Sequence, residues 1–307
     1  MPDVSVIIPA YNAAATLRDC PAAAQQQRLP PGRSFELLVV DDGSTDETPA
    51  LCRTMGVPVR RRPSRGGAGA ARNSGAAATA GEWIAFTDSD CVPARRWLAA
   101  LWEAAQRAGP ETLGAAGATI GHRSQTPAAR FVDLAGGLDA RRHLTHPVFP
   151  FAPTGNVLLR RSAFEAVGGF DERFDSYEGA DLYHRLARAH AGEVVFEPRA
   201  VVLHAHRSSW RAYWKQQSSY GRGYAQLFLR YPGELPWSWM RELAAWGRIA
   251  GLAARACAAC GDRGLVGRGM LIKHVAQRIG FMRNYWSRRE RRRWTDLAPR
   301  LPACVPP

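Results

Sequence analysis

Lysine is almost missing from this chain: of its 41 basic residues only Lys215 and Lys273 are lysines. Arginine at any one site is therefore a compositional habit and carries little information. Cysteine is sparse as well, with six residues, Cys20, Cys52, Cys91, Cys257, Cys260 and Cys304. Cys257-Ala-Ala-Cys260 has the spacing of a redox or zinc pair, but it lacks a second pair and nearby histidines, so all six read as free thiols. Long apolar runs are missing too: the best candidate, 243–260, is interrupted by Arg248 and Arg255, which excludes a membrane-spanning helix. The opening Met1-Pro2-Asp3 shows neither the basic nor the apolar region of a leader, so a cytoplasmic location is expected. Long polar tracts are absent, and 46% hydrophobic residues against 22% charged exclude disordered and fibrous classes.

Acids are the scarcer sign. Asp and Glu number 27 against the 41 bases, for a net charge of +14, and residues 241–300 alone hold 14 basic and 4 acidic residues. A chain of 307 residues can bury a sizeable core and hold one or two domains. Its basic end predicts an anionic partner: a phosphorylated substrate, a lipid surface or nucleic acid.

The first 90 residues alternate strand and helix signals. Val4–Ile8 and Phe35–Val40 read as buried parallel strands, with a helix over 13–27 between them and another from Thr45 toward Met55. Val57–Arg61 and Trp83–Phe86 add strands, and a helix is expected over 68–79. Strands after strands end in carboxylates: Asp41-Asp42-Gly43-Ser44 follows the second and Asp88-Ser89-Asp90 the fourth. Ligands of open parallel sheets bind at those ends, where loops and helix N-termini converge. A helix over 96–108, a poorly patterned segment over 115–150, a strand over 157–160, helices over 161–167 and 180–190, and strands over 193–196 and 201–204 follow. Everything from Ser208 reads as helical and basic.

Two carboxylates one residue apart on a tight loop suit a hard divalent ion beside a diphosphate, which favours Mg²⁺ or Mn²⁺. An Asp-x-Asp triplet alone is a weak signal, because aspartate is a common turn residue. Its place in a series of motifs raises it. Val4-Ser-Val-Ile-Ile-Pro-Ala-Tyr-Asn12, Val39-Val-Asp-Asp-Gly-Ser-Thr-Asp46, Ala71-Arg-Asn-Ser-Gly75 and Gly81-Glu-Trp-Ile-Ala-Phe-Thr-Asp-Ser-Asp90 occur in that order. Thr154-Gly-Asn-Val-Leu-Leu-Arg-Arg161 and Gly168-Gly-Phe-Asp-Glu172 continue the series. Together they resemble the family 2 inverting glycosyltransferases, over roughly residues 3–206.

That resemblance implies an α/β fold of the GT-A type: a Rossmann-like, mostly parallel central sheet flanked by helices, here with a helical basic C-terminal extension. It implies a glycosyltransferase domain over 1–206, with a nucleotide-sugar half to about 110 and an acceptor half from about 111; composition sets apart a helical Arg/Trp-rich region over 207–307, which the resemblance does not cover. Nucleotide-sugar contacts are expected from Pro9, Tyr11, Asn12, Asp42, Arg72, Asp88 and Asn156, with Asp42 accepting a hydrogen bond from the base and Asp41 supporting its loop. The metal is expected at Asp90 and His204, the latter ahead of His206, since the alternation Val201-Val-Leu-His-Ala-His206 puts both imidazoles on one strand face.

Inversion at an anomeric carbon needs a base for the acceptor hydroxyl. The family usually supplies it from a Glu-Asp-x-Asp stretch, which here reads Glu178-Gly179-Ala180-Asp181, so the second acid is Gly179. Glu178 and Asp181 share a face if a helix starts at 178; Glu178 is the favoured base. The resemblance implies transfer from a nucleoside diphosphate sugar, UDP-linked by default, to a hydroxyl of a lipid-linked or envelope glycan. A Gln-x-x-Arg-Trp signature of processive synthases is lacking, which favours a single transfer per encounter. Gly66-Gly-Ala-Gly69 lacks the Gly-Lys-Ser/Thr of a phosphate loop.

The tail interleaves Trp210, Trp214, Trp237, Trp239, Trp246, Trp286 and Trp294 with arginines, a composition suited to an anionic membrane surface at the inner face of the cell membrane. Arg288-Arg-Glu-Arg-Arg-Arg293 is its most basic stretch; nucleic acid is disfavoured as the partner. Two alternatives stand beside the transferase. One is a catalytically impaired nucleotide-sugar-binding protein, suggested by Gly179. The other is a sugar nucleotidyltransferase, opposed by Pro9-Ala-Tyr-Asn12 where a Gly-rich triphosphate loop belongs.

Overall fold

The computed structural model describes residues 1–146, 149–235 and 238–295. It divides into two compact units, residues 1–174 with 178–209, and residues 175–177 with those from 210 onward.

The first unit is built on one eight-stranded sheet. Its strands are β1 (Val4–Ala10), β2 (Phe35–Asp41), β3 (Val59–Arg61), β4 (Trp83–Thr87), β5 (Cys91–Pro93), β6 (Gly114–Gly121), β7 (Asn156–Arg160) and β8 (Val194–His204), in spatial order β3-β2-β1-β4-β7-β6-β8-β5. The β1–β2, β1–β4, β2–β3 and β6–β8 ladders are parallel, while β7 runs antiparallel to both β4 and β6. Short helices fill the connections: α1 (Asp19–Gln25), α2 (Thr48–Thr54), α3 (Ala68–Ala76), α4 (Trp97–Ala108), α5 (Pro127–Leu134), α6 (Ala140–Leu144), α7 (Arg161–Ala166) and α8 (Glu178–Ala189).

β1 and β4 are buried along their whole length, as strands covered on both faces must be. Ile7, Ile84 and Phe86 face a core with Ala71 of α3, Phe164 of α7, Phe170, and Leu182 and Leu186 of α8. Val4, Val6, Trp83 and Ala85 face the opposite core against Trp97, Leu98 and Leu101 of α4. The β1–β4 ladder ends at the pair Ile7–Phe86, two residues before Pro9. A proline lacking its N–H is tolerated there because no strand on that side needs the donor, and a crevice can open where β1 and β4 stop pairing.

Two expectations change. The helix expected over 13–27 is confined to α1, because the amides of Ala13 and Ala14 donate to Thr48 Oγ1 (2.8 Å) and Asp46 Oδ2 (3.2 Å) across the next loop instead of to a helix ladder. The two strands expected over 193–196 and 201–204 form one strand, β8, with a register shift against β6 between Gly117 and Ala118 that leaves residues 198–200 unpaired.

The second unit is helical: α9 (Trp210–Arg230), α10 (Trp239–Ala258), α11 (Gly261–Tyr285) and α12 (Arg288–Thr295). Gly221 and Gly280 have no room for a side chain, since a Cβ on either would overlap a backbone carbonyl of the facing helix, Gln277 O or Ser218 O. Close approach of α9 and α11 follows, sealed by the tilted and edge-on rings of Tyr224, Phe228 and Phe281. Glu242 is turned inward to Arg278 at 2.9 Å. Among the described residues no helix is long and apolar enough to cross a membrane. Trp237 and Cys304 lie outside the described residues, as do the side chains of Cys257 and Arg288.

Gly75 of α3 sits against β1, where a Cβ would come within 2.5 Å of Ile7 Cγ2 and 3.1 Å of Val40 Cγ2. Gly75→Ala is expected to cost about 1–3 kcal/mol in urea unfolding by overpacking this contact, whereas the same change at the open, exposed Gly247 should stabilise α10 or leave it unchanged.

Candidate active site

At the carboxyl ends of β1, β2 and β4 three loops interlock. Asn12 adopts a left-handed backbone, φ 47°, which asparagine tolerates better than most residues. Its amide donates to Ser44 Oγ (2.9 Å) and its Oδ1 accepts from the Thr45 amide (2.9 Å). The buried Asp41 accepts from the Ser44 amide at 3.0 Å. Asp42 is buried too and accepts from the amides of Gly66 (2.9 Å) and Gly67 (2.7 Å), with Arg62 Nε at 3.2 Å. Tyr11 stays partly exposed under the guanidinium of Arg65, 4.3 Å from the ring centroid.

The centre of the site is Arg72, on α3 and only 3% exposed. It donates from Nη2 to Asp88 Oδ1 at 2.6 Å and from Nη1 to Glu178 Oε1 at 2.8 Å. Burial opposes its charge, but Asp88 and Glu178 outweigh burial and hold it above the ordinary arginine value. The next residue, Asn73, clamps the loop before α8: Nδ2 donates to Phe170 O (2.8 Å) and Oδ1 accepts from Phe170 N (2.9 Å). α3 thus delivers Arg72 to both acids and ties down the Gly-Gly-Phe-Asp segment.

Glycines clear the space these carboxylates fill. A Cβ on Gly155 would lie 2.8 Å from Asp88 Oδ2, and one on Gly69 would lie 3.4 Å from Glu178 Cγ. Gly179, where the resemblance places a second acid, has Thr154 Cγ2 at 3.0 Å from its would-be Cβ, so a larger residue fits only if Thr154 gives way.

Asp90 reaches a second cluster through the sheet. Cys91 and His204 are register partners of β5 and β8, and the Ala205 amide donates to Asp90 O at 2.8 Å. Asp90 Oδ1 lies 3.6 Å from His204 Nε2, and its Oδ2 lies 3.6 Å from Arg207 Nη2. Asp90, Cys91 and His204 have ligand atoms within 4.8 Å of one another. Burial, then Asp88 and Asp90, push the Cys91 thiol far up, and a sulfur is the softest of the three groups and the least suited to a hard divalent ion. The carboxylate and the imidazole remain, a hard oxygen and a borderline nitrogen that fit Mn²⁺ or Mg²⁺. Behind them His204 Nδ1 contacts His206 Nδ1 at 2.9 Å, and His206 Nε2 contacts Asp133 Oδ1 at 3.0 Å. Burial, then His204, hold His206 below the ordinary histidine value despite Asp133.

Residues 5–168 match the model of glycosyl transferase family 2, more than half of the chain. The chain belongs to that family. It is 34% identical over 241 residues to the pre-mycofactocin glycosyltransferase of Mycobacterium tuberculosis, an alignment covering 75% of this chain and 48% of that protein. The chain thus spans about half the length of that relative. It is 28% identical over 235 residues to glycosyltransferase AglE of Haloferax volcanii, covering 75% of each. Among solved structures, the mannosyltransferase PcManGT from Pyrobaculum calidifontis, in complex with GDP-Man and Mn²⁺, superposes with a TM-score of 0.65 at 20% identity, over 93% of this chain and 87% of that one. Staphylococcus aureus TarS 1-349 in complex with UDP-GlcNAc gives 0.51 at 16%, over 92% and 91%. These likenesses support the GT-A fold, and the family match sets aside the nucleotidyltransferase alternative.

Within this glycosyltransferase domain the structure brings Arg72, Asp88 and Glu178 together, and separately Asp90 with His204. Pro9, Tyr11, Asn12 and Asp42 gather at the β1 and β2 ends, though the Asp42 carboxylate is taken up by the Gly66 and Gly67 amides. Two residues are corrected. Asn156 is buried; Nδ2 donates to Ala118 O (2.8 Å) and Ala200 O (2.9 Å) while Oδ1 accepts from Trp97 Nε1 (2.7 Å). Its amide is spent on the carbonyls at the β6–β8 register shift and does not face a donor. Asp181 is fully buried in an ion pair with Arg185 Nη2 (2.7 Å), and the same guanidinium donates from Nη1 to the carbonyl of Val167 and from Nη2 to that of Gly169. It does not share a site with Glu178.

Asp133, Arg207 and the structural part played by Arg185 were not read from sequence. Thr126-Pro127 does signal the start of α5, since Thr126 caps Ala129 N with proline following, but no local pattern links Asp133 to a histidine 73 positions on. Asn156→Ala strands two carbonyls and an indole N–H, each costing about 1–3 kcal/mol. Thermal unfolding should therefore drop sharply, with KM for the donor unchanged in the protein that stays folded.

Proposed function

We propose that this chain transfers a sugar from a nucleoside diphosphate sugar, UDP-linked by default, to a hydroxyl of a lipid-linked or envelope glycan, by a single inverting, metal-assisted displacement. The observation that carries the reading is the Asp88–Arg72–Glu178 bridge. One buried guanidinium connects the acid at the end of a nucleotide-side strand with the first residue of α8, so the acid proposed for the donor and the proposed base belong to one hydrogen-bonded unit.

In this reading Tyr11, Asn12 and Pro9 border the nucleoside, Asp88 the ribose or sugar, and Arg72 orients Glu178. Glu178 accepts the proton of the acceptor hydroxyl as its oxygen bonds to the anomeric carbon, while the bond from that carbon to the diphosphate oxygen breaks and its electrons leave with the nucleoside diphosphate. Asp90 and His204 would hold a divalent ion, which when bound neutralises charge on the leaving diphosphate. The donor set supports Mg²⁺ or Mn²⁺, and Mn²⁺ is the ion in the PcManGT complex.

The helical unit supports peripheral binding to an anionic membrane. Trp239, Met240, Leu243 and Trp246 of α10 are exposed among Arg241 and Arg248, while the one acid of the helix, Glu242, is buried. Trp286 is exposed as well and stacks on Trp239, ring centroids 6.2 Å apart. Trp294, by contrast, is buried and leaves the set of interfacial tryptophans. Beside α10 a cavity of about 480 Å³ is lined by tyrosines 177, 220 and 224 with Arg248, His274 and Arg278, a lining suited to an anionic, partly apolar group. Burial, then Lys273, Arg248 and Arg278, keep His274 below its ordinary value, in keeping with a cationic surrounding.

Nucleoside diphosphate release is the test, from UDP-, GDP- and dTDP-sugars with Mn²⁺ or Mg²⁺ and membrane extract as acceptor source. Release should fall at least about 100-fold in Glu178→Gln, as loss of a general base requires, and vanish in Asp90→Ala. Donor binding without release by the unmodified protein would instead favour a nucleotide-sugar-binding protein. Separately, co-sedimentation with phosphatidylglycerol vesicles should exceed that with phosphatidylcholine vesicles and fall in Trp239→Ala/Leu243→Glu; equal retention of that variant would sink the membrane reading.

A further inference from the structure

Asp133, His206 and His204 form a chain of contacts that ends at Asp90, and only its last member was expected at the site. A carboxylate only accepts, so at 3.0 Å from Asp133 Oδ1 the shared proton belongs to His206 Nε2. With a single ring proton, held on Nε2 by Asp133, His206 has a bare Nδ1. His206 Nδ1 lies 2.9 Å from His204 Nδ1, and two bare nitrogens cannot approach so closely. His204 therefore carries its proton on Nδ1 and presents a bare Nε2 toward Asp90 Oδ1, 3.6 Å away, too far for a hydrogen bond. Two lone-pair donors then face each other, the arrangement a cation fills.

The backbone is shaped to permit the chain. Gly121, at the end of β6, lies beside Asp133, and a Cβ there would overlap the Asp133 carboxylate. β6 and β8 also pair Gly121 with His204 in register, so the glycine that admits Asp133 sits next to the residue the chain acts on.

We propose that Asp133 and His206 are positioning residues that lock His204 in the Nδ1–H form and thereby aim its Nε2 lone pair at the metal position beside Asp90. Outer partners of this kind fix the ring orientation and tautomer of a ligand histidine. The proposal rests on the reading of Asp90 and His204 as metal-holding residues.

The deciding experiment is long-range ¹H–¹⁵N NMR of histidine-labelled, metal-free protein, with the His204 signals assigned by their loss in His204→Gln. His204 should show the Nδ1–H form in the native chain and revert to the commoner Nε2–H form in Asp133→Ala. Asp133→Asn, whose amide oxygen still accepts from His206, should keep the native pattern, and Gly121→Ala, which displaces the carboxylate without altering any member of the chain, should lose it. In parallel, EPR titration with Mn²⁺ alone should give an affinity about 10–100-fold weaker in Asp133→Ala, largely restored in Asp133→Asn, with thermal unfolding unchanged. An Nε2–H form of His204 in the native chain, or one tautomer in native and Asp133→Ala protein alike, overturns the proposal, as does an unchanged Mn²⁺ affinity. Native protein with the expected tautomers but no Mn²⁺ binding would sink the metal reading and leave the relay standing.

Discussion

A single buried guanidinium between the end of β4 and the start of α8 holds this domain's candidate site together. Removing an arginine from water is costly, and the cost is offset only when partners of opposite charge meet it at hydrogen-bond distance. Arg72 has two, Asp88 from the end of β4 and Glu178 from the start of α8. Because neither carboxylate can move without leaving a buried cation short of a partner, the strand end and the helix start are fixed relative to each other. α3 is held from a second direction by Asn73, which bonds both backbone groups of Phe170.

Around that centre the glycines of the motifs act mainly as cleared volume. Gly155 makes room for the Asp88 carboxylate, Gly69 for the stem of Glu178, and Gly121 for Asp133. At Gly155 and Gly121 a carboxylate occupies the place of the missing Cβ, whereas at Gly69 the Glu178 stem lies at ordinary contact distance. Gly179 is different. Its neighbour is the methyl of Thr154, so the departure from the family's acid pair is an apolar contact, and it leaves Glu178 as the acid of this helix start that meets Arg72.

Charge has been sorted differently in the two units. In the first, most acids near the crevice are bound to arginines or backbone amides, which rigidifies loops that would otherwise repel one another. In the helical unit, Glu242 is drawn inside to Arg278 while tryptophans and arginines face outward on α10. That inversion of the usual polar surface is costly in water and is the physical ground of the proposed lipid interface.

Family, the succession of strands along the first ninety residues and the acids at the strand ends were legible locally. Val4–Ile8 and Trp83–Phe86 announce doubly covered strands by composition, and Asp41-Asp42 and Asp88-Ser-Asp90 follow them directly. Glu178 was legible through its motif. What the linear pattern could not yield was where side chains spend their hydrogen bonds. Asn156 and Asp181 sit in motifs that suggest ligand contact, yet burial beside the carbonyls of a register shift and beside Arg185 consumes them. Asp133 carried no local sign at all. Periodicity and composition report burial and direction along one segment, because those depend on neighbours a few residues away. Whether a buried polar group is a tool or a strut depends on which distant groups would be left unpaired without it, and only the packed chain decides that.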